Sequence, residues 1–77
     1  MKSVSVFLDK SNVVKDFVNT VNRFAYDVDL RSGRYVVDAK SLLGIFSLDL
    51  SNPIALEVHN DHCDDLLEAL KPYLYKK

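Results

Sequence analysis

A chain of 77 residues, 48% hydrophobic and 27% charged, has enough apolar side chains for one small core and too many for a disordered segment. Its formal net charge of −1 argues against nucleic acid or an anionic membrane surface as a partner, and no apolar run approaches the ~18 residues of a membrane span. A single cysteine excludes an internal disulfide, so we expect one domain over residues 1–77 in the reducing cytoplasm.

The first two predicted elements are a strand and an amphipathic helix. Apolar side chains occupy every second position over residues 4–8, which is the period of a strand. Over residues 13–25 they recur at three- and four-residue spacing with polar residues between them, which predicts a helix with one buried face. Ser11 or Asn12 is predicted to be its N-cap.

A β-hairpin is predicted next. Alternation returns over residues 26–31 and again over residues 34–39, and Ser32-Gly33 between them is a turn signal. Residues 41–48 are helix-like, but they are too few and too apolar for their period to distinguish a short helix from a buried strand.

The last third of the chain predicts a strand and a final helix. After a loop over residues 49–53, apolar residues alternate over residues 54–59. Asn60 or Asp61 is predicted to cap the helix, and Pro72 is predicted to bend it or to loosen its last turn. The apolar face of this helix consists of Leu66, Leu67, Leu70, Tyr73 and Leu74.

The predicted order is strand, helix, strand, strand, short helix, strand, helix. Alternating strands and helices with one apolar face are typical of an α+β, two-layer open-faced sandwich, in which helices cover one face of a four-stranded antiparallel sheet. The pattern indicates this fold, but a fold does not determine a function.

The segment over residues 40–48 reads Lys-Ser-Leu-Leu-Gly-Ile-Phe-Ser-Leu. It resembles the segment that contains the regulatory serine of the HPr family, the phosphocarrier proteins of the bacterial sugar phosphotransferase system. The likeness extends without a gap over residues 17–48, and residues 54–70 are compatible with it once the loop before the last strand is shortened. The resemblance implies four antiparallel strands with the helices on one side.

Carried over residue by residue, the resemblance places the family's phosphate-accepting histidine at Lys10, its phosphate-holding arginine at Asn12 and its helix-starting proline at Val13. All three positions depart from the family's pattern. At neutral pH a lysine ammonium has no lone pair that can accept a phosphoryl group, and the neighbouring carboxylate of Asp9 favours that charged form. We therefore expect a divergent member of the family that lacks the carrier histidine.

The resemblance places the family's phosphorylated serine at Ser41, which is preserved, with Lys40 before it. Two interpretations remain open for Ser41. It is either a plain helix N-cap or a phosphorylation site, since the start of a short helix tolerates a phosphate.

The apolar side chains after Ser41 also have two interpretations. The residues alone favour a place in the core, whereas the resemblance implies that Gly44, Ile45 and Leu48 pack inward and leave the others exposed to protein partners. The resulting candidate partner-binding residues are Lys40, Leu42, Leu43 and Phe46.

Neither a metal site nor a catalytic centre is predicted. His59, His62 and Cys63 are potential zinc ligands, but their spacing matches no closed four-ligand site and the sequence has no second cluster to complete one. We find no paired carboxylates, nucleophile–base pair or phosphate loop, so we expect no enzyme activity, no metal and no cofactor.

The favoured function is an HPr-like regulatory or protein-binding module that does not carry phosphate and that is regulated through Ser41. It is comparable to the catabolite-repression paralogue of HPr, which also lacks the histidine, and its expected partners are a serine kinase or a transcription regulator. Two alternatives remain. One is a phosphotransferase-system carrier with atypical residues, and the other is a small-ligand-binding α/β sandwich unrelated to sugar transport.

Overall fold

The computed structural model describes residues 1–75, in which helices cover one face of a four-stranded antiparallel sheet. The strand order across the sheet is β1-β4-β2-β3. The strands are β1 (Lys2–Val6), β2 (Val28–Ser32), β3 (Tyr35–Asp38) and β4 (Ile54–Val58). The helices are α1 (Ser11–Val21), α2 (Leu42–Phe46) and α3 (Asp64–Ala69), and a 3-10 turn follows over Lys71–Tyr73. The predicted α+β sandwich and its element order are confirmed.

The core lies between this sheet and the helices. One row of the sheet runs through Val4, Leu56, Leu30 and Val37, each opposite the next. Leu56 and Leu30 are fully buried, and the two outer members pack against the core. Because side chains alternate across a strand, their neighbours in sequence lie on the open face of the sheet.

Helix α1 is held to the sheet by one apolar face. Its buried residues are Val14, Phe17, Val18 and Val21, at the spacing of adjacent turns on one side of a helix. Phe17 is fully buried and meets the ring of Tyr73 edge-on, with the ring centroids 5.6 Å apart and the planes at 86°. The predicted buried face of this helix is therefore present.

The predicted end of α1 is wrong by four residues. The helix ends at Val21, where the backbone N–H and the side-chain amide of Asn22 both donate to the carbonyl of Val18. The next amides, of Arg23 and Phe24, donate three residues back, so the last turn tightens and the chain leaves the helix. Ala25, predicted on the buried face, is exposed.

Both predicted pairs of N-caps are also wrong. Lys10 occupies the N-cap position of α1, and Cys63 occupies that of α3. Asn60 instead accepts a hydrogen bond from the backbone of His62, and Asp61 pairs with the N-terminal ammonium group, so both side chains are used before α3 begins.

The hairpin agrees with its predicted turn and is shorter than its predicted strands. Gly33 takes φ of 60°, a left-handed conformation that glycine adopts without strain, and Ser32 pairs with Tyr35 across the turn. Strand β2 begins at Val28, two residues later than predicted. Tyr26 precedes it and donates its hydroxyl to Asp65 at 2.7 Å, which raises the pKa of Tyr26 above its usual value.

The predicted effect of Pro72 is confirmed, and it is larger than a bend. Helix α3 ends at Ala69, and Pro72 lies in the 3-10 turn that follows. Leu74, predicted on the helical apolar face, is extended and pairs with Val6 of β1. Residues 73–75 therefore run along the sheet instead of continuing the helix.

Candidate functional site

The loop before α1 is the first candidate site. Leu8 is buried, whereas the next four residues, 9–12, are exposed. Lys10 has extended backbone angles, φ −132° and ψ 148°, and its carbonyl accepts the N–H of Val14 at 3.0 Å. Within residues 1–75 no side chain caps this helix start. The place that the resemblance assigns to a phosphate acceptor thus holds an exposed lysine.

The histidines lie at the opposite end of the sheet from Lys10. In the β1–β4 pair, Val6 is opposite Ile54 and Lys2 is opposite Val58. The chain leaves β1 beyond Val6 to reach α1, whereas His59 follows Val58. The four steps of strand between these ends span about 13 Å. The structure therefore does not bring either histidine to the start of α1.

His59 lines a shallow cleft with a volume of about 310 Å³. Its Nε2 lies 2.7 Å from a carboxylate oxygen of Asp29. The other lining residues are Asp27, Val28, Asp38 and Lys40. Three carboxylates against one lysine make the cleft unfavourable for a phosphate. Among the described residues, no group of three or more His, Cys, Asp or Glu side chains is arranged to hold a metal ion.

Ser41 caps the second candidate site, helix α2. Its Oγ accepts the backbone N–H of Gly44 at 3.1 Å, and its carbonyl accepts that of Ile45 at 3.1 Å. A Cβ added at Gly44 would lie 3.1 Å from Ser41 Oγ and 3.3 Å from Val37 Cβ. The glycine therefore allows the capping serine and strand β3 to approach the helix closely.

Lys40 joins the end of α1 to the start of α2. Its Nζ donates to the carbonyl of Phe24 at 2.9 Å, and its backbone N–H donates to a carboxylate oxygen of Asp38 at 2.9 Å. Its side chain is half-buried in this position. Lys40 therefore organises the connection before Ser41, and its ammonium group already has a backbone partner.

Helix α2 has an inner and an outer side. Ile45 and Leu48 are buried, and Leu42 is half-buried against the core. Leu43 is 83% exposed and Phe46 is 42% exposed, one helical turn apart on the outer side. We call Ser41, Leu43 and Phe46 the α2 surface.

One exposed side chain near the α2 surface was not singled out by the sequence. Tyr35 is 72% exposed and lies on the same side of β3 as Val37, the side that faces α2. Strand alternation places Tyr35 on the core side of β3. It does not show that β3 is an edge strand, and so it does not predict that Tyr35 is exposed. A tyrosine next to a hairpin turn is the only sequence signal for it.

The side chain of Asp49 accepts hydrogen bonds within the loop that follows α2. The hydroxyl and the backbone N–H of Ser51 both donate to Asp49 Oδ1, at 2.6 and 3.0 Å. These hydrogen bonds lower the pKa of Asp49 from its usual value, because they favour the ionised carboxylate. The short loop before β4 is therefore ordered by its own side chains.

Residues 11–75 match the family model described as the PTS HPr component phosphorylation site. The matched region includes α2 and begins one residue after Lys10. No curated protein matches the chain.

Solved structures share the fold over most of the chain. The phosphocarrier protein HPr from Bacillus anthracis is 30% identical, with 96% of this chain and 94% of that chain covered and a TM-score of 0.76. HPr-C-His from Thermoanaerobacter tengcongensis is 27% identical, with 91% and 86% covered and a TM-score of 0.78. The Bacillus subtilis catabolite repression protein Crh, described as a domain-swapped dimer, is 24% identical, with 95% and 88% covered and a TM-score of 0.68. Within residues 1–75 no helix is long and apolar enough to cross a membrane.

Proposed function

Since this chain belongs to the HPr family of the phosphotransferase system, we propose that it is a protein-binding regulatory member of that family which does not carry phosphate. HPr is a phosphocarrier protein and not an enzyme, so the expected activity of a relative is contact with other proteins. The proposed contact region is the α2 surface, with Lys40 and Leu42 as its inner border.

The observation that carries the proposal is the start of α1. Lys10 is the N-cap residue there, Asp9 and Asn12 flank it in solvent, and both histidines of the chain lie near the other end of the sheet. An ammonium group binds a phosphate as a counter-ion but does not accept a phosphoryl group, because its nitrogen has no free lone pair. A carrier step at this position therefore has no nucleophile.

The α2 surface supplies the positive part of the proposal. Burial of Leu43 would remove apolar area from water that folding of the monomer leaves exposed, so the side chain contributes more to a complex than to the fold. Ser41 stands at the edge of this surface. A phosphate on Ser41 would add about two negative charges beside Leu43 and Phe46 and would change the affinity of a partner docked there. The name of Crh suggests the kind of role, in catabolite repression, and a transcription regulator or a serine kinase is the kind of partner.

One experiment with two arms tests this proposal. In the first arm, the protein is incubated with enzyme I and phosphoenolpyruvate, with the Bacillus anthracis HPr as the positive control. We expect acid-labile phosphate on the control and none on this chain. Label on Lys10, His59 or His62 would contradict the proposal and would favour the alternative of an atypical carrier.

In the second arm, the parent and a Ser41→Ala variant are treated with an HPr-type serine kinase and ATP. We expect the parent alone to gain the mass of one phosphoryl group, because Ser41 Oγ lies at an exposed position. An unchanged parent mass would leave Ser41 as a helix cap, and the proposed regulation through phosphorylation would be wrong.

A further inference from the structure

Three carboxylates form a row on the open face of the sheet, the face away from the helices. Glu57 of β4 lies opposite Asp29 of β2, and Asp29 lies opposite Asp38 of β3. The adjacent residues of β4 and β2, Leu56 and Leu30, are fully buried on the helix side, so the carboxylates lie on the other side. Because adjacent strands are about 4.8 Å apart, the row is about 10 Å long. We call Glu57, Asp29 and Asp38 the carboxylate row.

The carboxylate row does not stabilise the sheet by itself. Like charges directly opposite each other on adjacent strands are destabilising. Two side chains beside the row offset part of this repulsion. Arg31 Nη2 lies 3.2 Å from Glu57 Oε1, and His59 Nε2 lies 2.7 Å from Asp29 Oδ2. Both contacts are partly exposed to solvent, where such pairs contribute little stability. The row therefore remains a negative surface that the fold only partly neutralises.

Each carboxylate of the row keeps one oxygen available for a further donor. Within residues 1–75, the hydrogen bonds to the row end on Oε1 of Glu57, Oδ2 of Asp29 and Oδ1 of Asp38. The second oxygen of each carboxylate faces solvent, which reaches all three side chains. A guanidinium group suits such oxygens, because its planar fork donates two parallel hydrogen bonds.

The cleft of about 310 Å³ lies at one side of the carboxylate row. Asp29 and Asp38 line it, and Asp27 adds a third carboxylate. Lys40 also lines the cleft, but its ammonium group donates to the carbonyl of Phe24 at 2.9 Å. The cleft therefore extends the negative charge of the row and leaves room for a long cationic side chain.

The other side of the carboxylate row is open and nearly flat. The next row across the sheet contains Ser5, Ala55, Arg31 and Val36, each opposite the next. Ser5 and Ala55 have short side chains, and Val36 is 46% exposed. A partner can therefore approach the carboxylates along the sheet and cover some apolar area beside them.

We propose that the open face of the sheet is a docking surface for a basic segment of another protein, whose arginine side chains bind the carboxylate row. Two guanidinium groups about 10 Å apart would match Glu57 and Asp38 at the two ends of the row. Charge complementarity identifies this occupant, because the row repels phosphate groups and therefore nucleic acid. The inference does not depend on the proposed function of the α2 surface, which lies on the helix side of the sheet.

Titration of the ¹⁵N-labelled protein with a hexa-arginine peptide tests the docking surface. We expect saturable shifts that are largest at the amides of Asp29, Asp38 and Glu57 and absent at Leu43. The affinity should fall as salt is added, because salt screens exposed charges. Hexalysine should bind more weakly, since an ammonium group does not engage two oxygens with a planar fork. The proposal would be overturned if no shift saturated, or if the largest shifts lay on the helix side.

An Asp38→Asn variant separates binding from folding. It removes one charge of the row and keeps an oxygen that can accept the N–H of Lys40. We expect the Kd for hexa-arginine to rise about threefold, as for the loss of one exposed ion pair. The thermal midpoint should rise slightly, because Asp29 loses a like charge opposite it. A lowered midpoint would show that the carboxylate serves the fold, and would count against the proposal.

Asp16→Asn is the matched control. Asp16 is exposed on α1, so this change alters the net charge equally on the helix side of the molecule. We expect its Kd to equal that of the parent. An equal weakening by Asp16→Asn and Asp38→Asn would mean that the peptide responds only to net charge, and the docking surface would be wrong. If Asp38→Asn does not fold, Glu57→Gln replaces it, since it removes one charge and keeps an acceptor for Arg31.

Discussion

Helices α1 and α2 begin in opposite ways. Helix α1 has 11 residues, no side-chain cap within the described part of the chain, and a continuous buried face. Helix α2 has five residues, a serine cap, and an apolar side chain exposed almost fully at Leu43. A helix of five residues has little stability of its own, so the cap and the burial of Ile45 must hold it. Helix α1 therefore buries its apolar face in the core, whereas α2 leaves part of its apolar surface exposed to solvent.

The largest expected effect separates the buried face of α1 from the outer side of α2. Phe17→Ala should lower the free energy of unfolding by about 3–5 kcal/mol, because it leaves a cavity beneath Tyr73. Leu43→Ala is the matched control and should change stability by less than about 0.5 kcal/mol, since its side chain contacts mainly water. Urea titration of both variants measures the change in the free energy of unfolding. If Leu43→Ala lowered it as much as Phe17→Ala, the contrast between a buried face of α1 and an exposed side of α2 would be wrong.

A smaller effect is expected at the two helix starts. Ser41→Ala should lower the free energy of unfolding by about 0.5–2 kcal/mol, because the N–H of Gly44 loses its acceptor. Ser11→Ala is the control, since Ser11 is an exposed first-turn residue and not the cap of α1. Thermal unfolding of the two variants should show a lowered midpoint for Ser41→Ala alone. Equal midpoints would show that α2 does not depend on its cap.

The smallest expected effect is a gain in stability at the start of α1, which has no side-chain cap within the described residues. Lys10 already has the extended backbone angles of an N-cap residue but no side-chain oxygen to accept an N–H. Lys10→Ser should therefore raise the free energy of unfolding by about 0.5–1 kcal/mol. Lys10→Ala supplies no acceptor and should leave it unchanged. A destabilising Lys10→Ser variant, measured by urea titration, would show that the lysine contributes to the fold in its present place.

The candidate site was predictable from the sequence in part. The preserved segment around Ser41 placed the short helix, and its cap geometry is present at Ser41 Oγ. The exposure of Leu43 came only from the resemblance, because residues 41–48 are too few and too apolar for their period to separate inside from outside. The hydrogen-bond partner of Lys40 was not predictable. The carbonyl of Phe24 can accept from Lys40 because α1 ends four residues before its predicted end.

The sequence by itself determined the element order, the two-layer fold and the buried faces of α1, β1, β2 and β4. These follow from local period, because a two- or three-to-four-residue repeat of apolar side chains specifies which side of an element meets the core. Pro72 and Gly33 likewise determined a helix end and a turn through their own backbone geometry.

Only the tertiary structure decided where α1 and α3 begin and which residue pairs with the outer edge of β1. Asn60 and Asp61 are good caps by residue type, but a backbone N–H and the chain's own N-terminus reach them first. Leu70, Tyr73 and Leu74 have the spacing of a helix, yet Leu74 pairs with Val6 at the free edge of β1, and the ring of Tyr73 before it packs against Phe17. The contacts of Asp61 with Met1 and of Leu74 with Val6 join residues 60 and 68 positions apart in sequence, and no local pattern records that competition.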